Sequence, residues 1–156
     1  PGALSAAKDS GLPVCLMHMQ GQPQSMQVAP KYDSVVAEVC CYLVDRVSVC
    51  ERGGIERDRI IIDPGFGFGK SVQHNLLILK HLAQLGQLGL PILVGLSRKS
   101  LIGTLLGRPV EERLFGSLAA ALIAVQNGAR IVRVHDVAAT VDVLKIASAV
   151  AEVDAD

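Results

Sequence analysis

An acid closes the apolar run Ile60-Ile61-Ile62 at Asp63, and Pro64-Gly65-Phe66-Gly67-Phe68-Gly69-Lys70 follows it. Pro64 bars any continuation of a strand ladder, the glycines admit positive φ, and the two phenylalanines place flat apolar rings nearby. A carboxylate beside bare backbone and aromatic rings suits a planar ligand carrying N–H donors; the plainer alternative is a flexible strand-to-helix turn. Further apolar runs end the same way, in His18, in Ser97-Arg98-Lys99-Ser100 and in Arg133-Val134-His135-Asp136.

Arg133 and His135 are two residues apart, so on a strand their side chains share a face. A guanidinium buried there needs an anion, since an isolated buried ion is costly, and with the imidazole it makes a fork for phosphate oxygens. The alternative is an internal ion pair with Asp63 or Asp136. Ser97 and Lys99 share parity with Gly95 if their strand continues that far. Gly95 would then leave room for a flat ring, with Lys99 reaching its edge. Ser100 opens a helical turn whose hydroxyl and free N–H groups can hold a carboxylate; a solvated basic helix start is the alternative. Met17 and Met19 flank His18 and take the opposite strand face, where Met17 reads either as a contact for a heteroaromatic ring or as core. His74 and His81 read as surface residues of a helix.

Several motifs are excluded. A phosphate-binding P-loop needs glycine five residues before its Gly-Lys, where this chain has Pro64, and the dinucleotide fingerprint meets Lys70 where its last glycine belongs. No His/Cys/Asp/Glu spacing resembles a zinc site, and none suggests a Ser-His-Asp arrangement.

The elements that must position these residues follow from patterning. The 156 residues suit one domain, and a composition half hydrophobic and 19% charged is globular, not disordered. A formal net charge of zero gives no field for nucleic acid or an anionic membrane, and no apolar run approaches the ~20 residues of a membrane span. The cysteines Cys15, Cys40, Cys41 and Cys50 form no C-x-x-C pair and read as buried, reduced thiols of a cytoplasmic protein. Strands are predicted over 13–19, 60–63, 91–96 and 131–136, the second covered on both faces. Helices are predicted over 1–11, from an Asp33 or Ser34 cap to 52, and over 72–85, 111–126 and 139–150, with a short helical turn after Ser100. A long loop spans 20–31, and the acidic tail beyond 150 is expected to fray. This is an α/β chain of parallel (β/α) units with right-handed crossovers, in which polar residues sit at the carboxyl end of every strand. The pattern fits an open four-stranded sheet or half of an eight-stranded barrel equally.

Met-His-Met-Gln-Gly-x-Pro (17–23), Asp-Pro-Gly-Phe-Gly-Phe-Gly-Lys (63–70), Gly-Leu-Ser-Arg-Lys-Ser (95–100) and Arg-Val-His-Asp-Val (133–137) together closely resemble the dihydropteroate synthase family. The likeness runs from Pro1 to the last helix. It implies that residues 1–156 form the carboxy-terminal half, strands five to eight, of a TIM (β/α)8 barrel with a pterin-binding domain. The implied reaction joins 4-aminobenzoate to 6-hydroxymethyl-7,8-dihydropterin pyrophosphate, releasing pyrophosphate with Mg2+ assistance, in a cytoplasmic homodimer of folate biosynthesis that sulfonamides target. By position, the resemblance gives the pterin to Asp63, Lys99, Met17, Phe68, Gly95 and Arg133, the pyrophosphate to Arg133 and His135, and the aminobenzoate to Ser97 and Ser100. Lys99, Arg133 and His135 would be the catalytic residues. No metal ligand is expected in this chain, because the family carries it in the amino-terminal half. The opening at Pro1 without an initiator methionine is in keeping with part of a longer chain, and little activity is expected from these residues alone. A pterin-binding module without pyrophosphate chemistry and a non-catalytic, self-associating half-barrel are the competing readings.

Overall fold

A computed structural model describes residues 2–22, 26 and 28–153. In chain order the elements are α1 (Ala3–Asp9), β1 (Val14–Met17), α2 (Val35–Arg52), β2 (Ile60–Asp63), α3 (Val72–Lys80), β3 (Ile92–Val94), α4 (Ser100–Leu106), α5 (Leu114–Gln126), β4 (Ala129–Val132) and α6 (Val137–Ala151). The strands form one parallel sheet ordered β1-β2-β3-β4, with Val14 opposite Ile60, Met17 opposite Asp63, Ile62 opposite Ile92 and Val94 opposite Val132.

That order never reverses, whereas an open doubly wound sheet changes direction at a switch point and carries helices on both faces. Here one face is dry. Ile60, Ile62, Ile92 and Val94 are almost wholly buried, together with Val39, Leu43 and Val47 of α2, Ile78 of α3 and Ala124 of α5. The alternate residues are open: Cys15 is exposed, Ile61 and Leu93 are half-buried, and Ile131 is 36% exposed. The expectation that β2 is covered on both faces is therefore corrected among the described residues. Monotone order with helices on one face is the wall of a barrel, which settles the choice between open sheet and half-barrel.

Helix and strand ends differ from the patterning in ways that have local causes. The third predicted helix stops at Lys80, and a 3-10 run over Leu82–Leu88 replaces its last turns. Leu82, Leu85 and Leu88 are three apart, the spacing that a 3-10 helix stacks on one side, and the first two are fully buried. A 3-10 turn over Val110–Glu112 likewise precedes α5. Ser34 is the N-cap residue of α2, as expected, but its side chain makes no capping bond; Glu38 reaches back instead, its Oε1 accepting the N–H groups of Asp33 and Ser34 at 2.8 and 3.0 Å. β3 ends at Val94, so strand parity does not carry to Ser97 or Lys99. β4 ends at Val132, although Arg133 still donates its N–H to Val94 O at 2.8 Å. Cys50 is buried, but Cys15 and Cys41 are exposed, which corrects the expectation of four buried thiols. No described helix is long and apolar enough to cross a membrane. Pro23 of the first quoted motif, with residues 24, 25 and 27 of the long loop, lies outside the described residues, as do Pro1 and the tail from 154.

Candidate functional site

The loop after β2 is folded back onto the end of β1. A Cβ on Gly65 would lie 1.8 Å from the carbonyl oxygen of His18, and the φ of +70° there also disfavours any side chain. Lys70 closes the loop from beneath. Only 3% exposed, its Nζ donates to Gly65 O at 2.9 Å, to Phe68 O at 3.0 Å and to His18 Nδ1 at 2.9 Å. As an ammonium Lys70 can only donate, and His18 Nδ1 is then the acceptor with the ring proton on Nε2. Buried Asn75 completes the frame, its Oδ1 accepting Gly67 N–H at 2.8 Å and its amide donating to Ser71 O at 2.7 Å.

The loops after β3 and β4 are tied to each other. Arg98, at φ 57°, donates Nε and Nη2 to the two oxygens of Asp136 at 3.0 and 2.5 Å. That pair holds the Asp136 carboxyl below its ordinary range. Ser117 Oγ accepts Arg98 N–H at 2.9 Å, and Arg113 donates to Arg98 O at 3.0 Å. Ser97, buried, meets His135 twice: Oγ accepts the backbone N–H at 3.2 Å and lies 3.0 Å from Nδ1.

Between these loops the charged groups converge. Lys99 donates to Phe66 O, and its Nζ stands 4.7 Å from the centroid of the Phe68 ring. The Arg133 guanidinium lies across Gly95, where a Cβ would meet Nη2 at 2.9 Å. Gly95, Ser97, Lys99, Arg133, Val134 and His135 line one cavity of about 330 Å3. Asp63, 4% exposed, is not among the lining residues but shares their field. Burial pushes its carboxyl up, while the Gly65 N–H at 2.7 Å and the cations Lys99, Arg133 and Lys70 favour the anion. Burial likewise lowers Lys99 to about 8, opposed by Asp63 and assisted by Arg133.

Lys99, Arg133 and His135 thus line one cavity with Gly95, the Phe68 ring lies against Lys99, and buried Asp63 shares the field of Lys99 and Arg133. Met17 is half-buried and pairs with Asp63 in the sheet. Ser100 is exposed at the first position of α4 and does not line the cavity. Arg133 is exposed, which corrects the premise of a buried guanidinium, and no ion pair joins it to Asp63 or Asp136 among the described residues. His74 is not a mere surface residue, because its Nδ1 accepts Ser71 N–H at 3.3 Å while its own N–H meets Ser71 Oγ at 3.1 Å. Sequence reading passed over Lys70, Asn75 and the Arg98–Asp136 pair. A lone lysine ending a glycine-aromatic loop was the one available signal. Among the described residues no group of three or more His, Cys, Asp or Glu could hold a metal ion, so these residues do not fit the Mg2+ implied by the resemblance, and no step is assigned to it.

The buried pair beneath the loop sets a pH dependence. Burial, then the Lys70 ammonium, lowers His18 from 6.5 to about 4. Between those values the unfolded chain binds more protons than the folded one, so stability is fully present above about 6.5 and is lost as pH falls toward 4. Asp63, pushed the other way, opposes this at the acid end. Thermal unfolding from pH about 4 to 7 should show the loss, and His18→Gln should flatten it. Parallel curves for the two proteins would remove His18 as its source.

Residues 1–135 match the family described as pterin binding enzyme. The dihydropteroate synthase of Escherichia coli K12 is 54% identical over 149 residues, which are 96% of this chain and 53% of that protein. The Stenotrophomonas maltophilia dihydropteroate synthase, solved with imidazole in its active site, superposes with a TM-score of 0.96 at 55% identity, over 99% of this chain and 58% of that one. The Xanthomonas albilineans enzyme, solved with 7,8-dihydropteroate, gives 0.92 at 53% identity over 99% and 56%; it is also solved with 4-aminobenzoic acid. The chain spans about half the length of the curated relatives it matches.

Proposed function

The chain belongs to the pterin binding enzyme family, and on that premise we propose that it supplies the pterin and pyrophosphate side of a dihydropteroate synthase. In the complete protein, 6-hydroxymethyl-7,8-dihydropterin pyrophosphate and 4-aminobenzoate are the substrates. Asp63 accepts hydrogen bonds from the amino and ring N–H groups of the pterin, and Lys99 donates to its oxo and ring-nitrogen edge. Met17 and Phe68 flank the ring, and Arg133 lies over its face above Gly95. The bond from the exocyclic methylene to the pyrophosphate oxygen breaks substantially before the arylamine attacks. A C–N bond then forms, the amine loses a proton and pyrophosphate leaves with its electron pair. Charge grows on the leaving oxygens, where Arg133 and His135 stabilise it. Asp63, an anion at the edge of the ring, helps the pterin tolerate the cationic character left behind. Ser97 and Ser100 border the aminobenzoate side.

One observation carries the reading: an ammonium, a guanidinium and an imidazole line one cavity around a glycine that the guanidinium covers, with a buried acid ending the neighbouring strand. The complete protein should release pyrophosphate only when 4-aminobenzoate is present. Pterin binding with no such release would leave a binding module instead. In this reading the complete enzyme is a cytoplasmic homodimer. Sedimentation of the same preparation reads the dimer.

A further inference from the structure

We propose that Ser97 is a positioning residue that fixes the tautomer of His135, holding Nδ1 unprotonated so that the neutral ring presents Nε2–H to the cavity. One hydroxyl has one proton to give and two lone pairs to receive with. The backbone N–H of His135 can only donate, and it takes one lone pair of Ser97 Oγ at 3.2 Å. Nδ1 stands 3.0 Å from the same oxygen. If Nδ1 carried a proton, Oγ would receive two donors, and its own proton, on a residue 6% exposed, would have no described protein acceptor. A buried donor left unmade costs far more than the bond contributes when made, so the hydroxyl donates to Nδ1 and the ring proton goes to Nε2.

Ser97 is itself held. The next residue, Arg98, is anchored through its N–H to Ser117, through its carbonyl to Arg113 and through its side chain to Asp136, which directly follows His135. The two loops are therefore locked by adjacent couplings, and the imidazole plane is set by the same oxygen that holds its backbone. Directing that Nε2–H at a phosphate oxygen rests on the synthase reading above; the tautomer does not.

Long-range 1H–15N correlation of the 15N-labelled chain at pH about 8, where imidazoles are neutral, reads the ring directly. The expected result is a protonated Nε2 and a bare Nδ1 whose resonance is shifted by an accepted hydrogen bond. Ser97→Ala should move Nδ1 to the unbonded position, and Ser97→Thr should restore it. A protonated Nδ1 in the unaltered chain overturns the proposal without any variant, and so does an Nδ1 resonance indifferent to Ser97→Ala. Titration of the complete protein with inorganic pyrophosphate separates the two readings: Ser97→Ala should weaken binding about tenfold and Ser97→Thr much less. The expected tautomer with no response of His135 to pyrophosphate would uphold the role of Ser97 and overturn the synthase reading.

Discussion

Asp63→Asn in the complete protein is expected to lose about a hundredfold in pterin affinity, roughly 3 kcal/mol, while the fold stands. The carboxylate uses Oδ1 to accept Gly65 N–H at 2.7 Å, a bond that the amide oxygen of asparagine can keep. The amide nitrogen must then occupy the position of Oδ2. There it turns two donors toward the N–H groups of the pterin, where a charged acceptor stood. Charge-assisted bonds are lost and buried donors face donors, and each effect acts in the same direction. The substitution also removes the anion that opposes the desolvation of Lys99, so the ammonium there becomes harder to keep charged. Calorimetric titration with a pterin ligand, set beside a thermal melt, separates binding from folding. An unchanged affinity would take Asp63 out of the site.

A strand end was readable where an apolar β-branched run meets a polar residue that cannot continue it, whereas β1, β3 and β4 stop at Met17, Val94 and Val132, short of their predicted ends. Ile60–Ile62 with Asp63 and Pro64 is the clearest case, and the structure ends β2 at that acid. The sheet order was not readable, since patterning is blind to which strands lie side by side, and the choice between open sheet and barrel wall fell to topology. Arg133 was misjudged for a related reason. Its burial depends on what covers the open face of the sheet, and periodicity within β4 carries no information about that. Arg98 with Asp136 is a contact across 38 residues between two loops, and neither partner has a local reason to find the other. The 3-10 run was missed although its signal was present, because leucines three apart were counted toward a longer α-helix.

Lys70→Met should destabilise the chain by about 3 kcal/mol, or roughly 10 °C in melting temperature. Methionine keeps much of the stem that fills the buried space, so the variant chiefly removes the donor. Three acceptors then lose their partner together: the carbonyls of Gly65 and Phe68 and the Nδ1 of His18. An opposing term exists. Burial lowers Lys70 to about 7 despite the attraction of Asp63, so part of its presence is unfavourable, and an apolar replacement of a buried charge can be neutral or stabilising. Acceptors decide the balance here, because a loop folded onto the β1 end has no room to turn its carbonyls toward water. The variant should also raise the pKa of His18 from about 4 toward its ordinary value, since the ammonium is one of the two causes that lower it. A melting temperature equal to or above that of the unaltered chain would mean that Lys70 is a tolerated burden and not the clasp of the loop. A lowered melting temperature with His18 still titrating near its original position would show that the packing was lost but not the charge effect, and would break the link between the two residues.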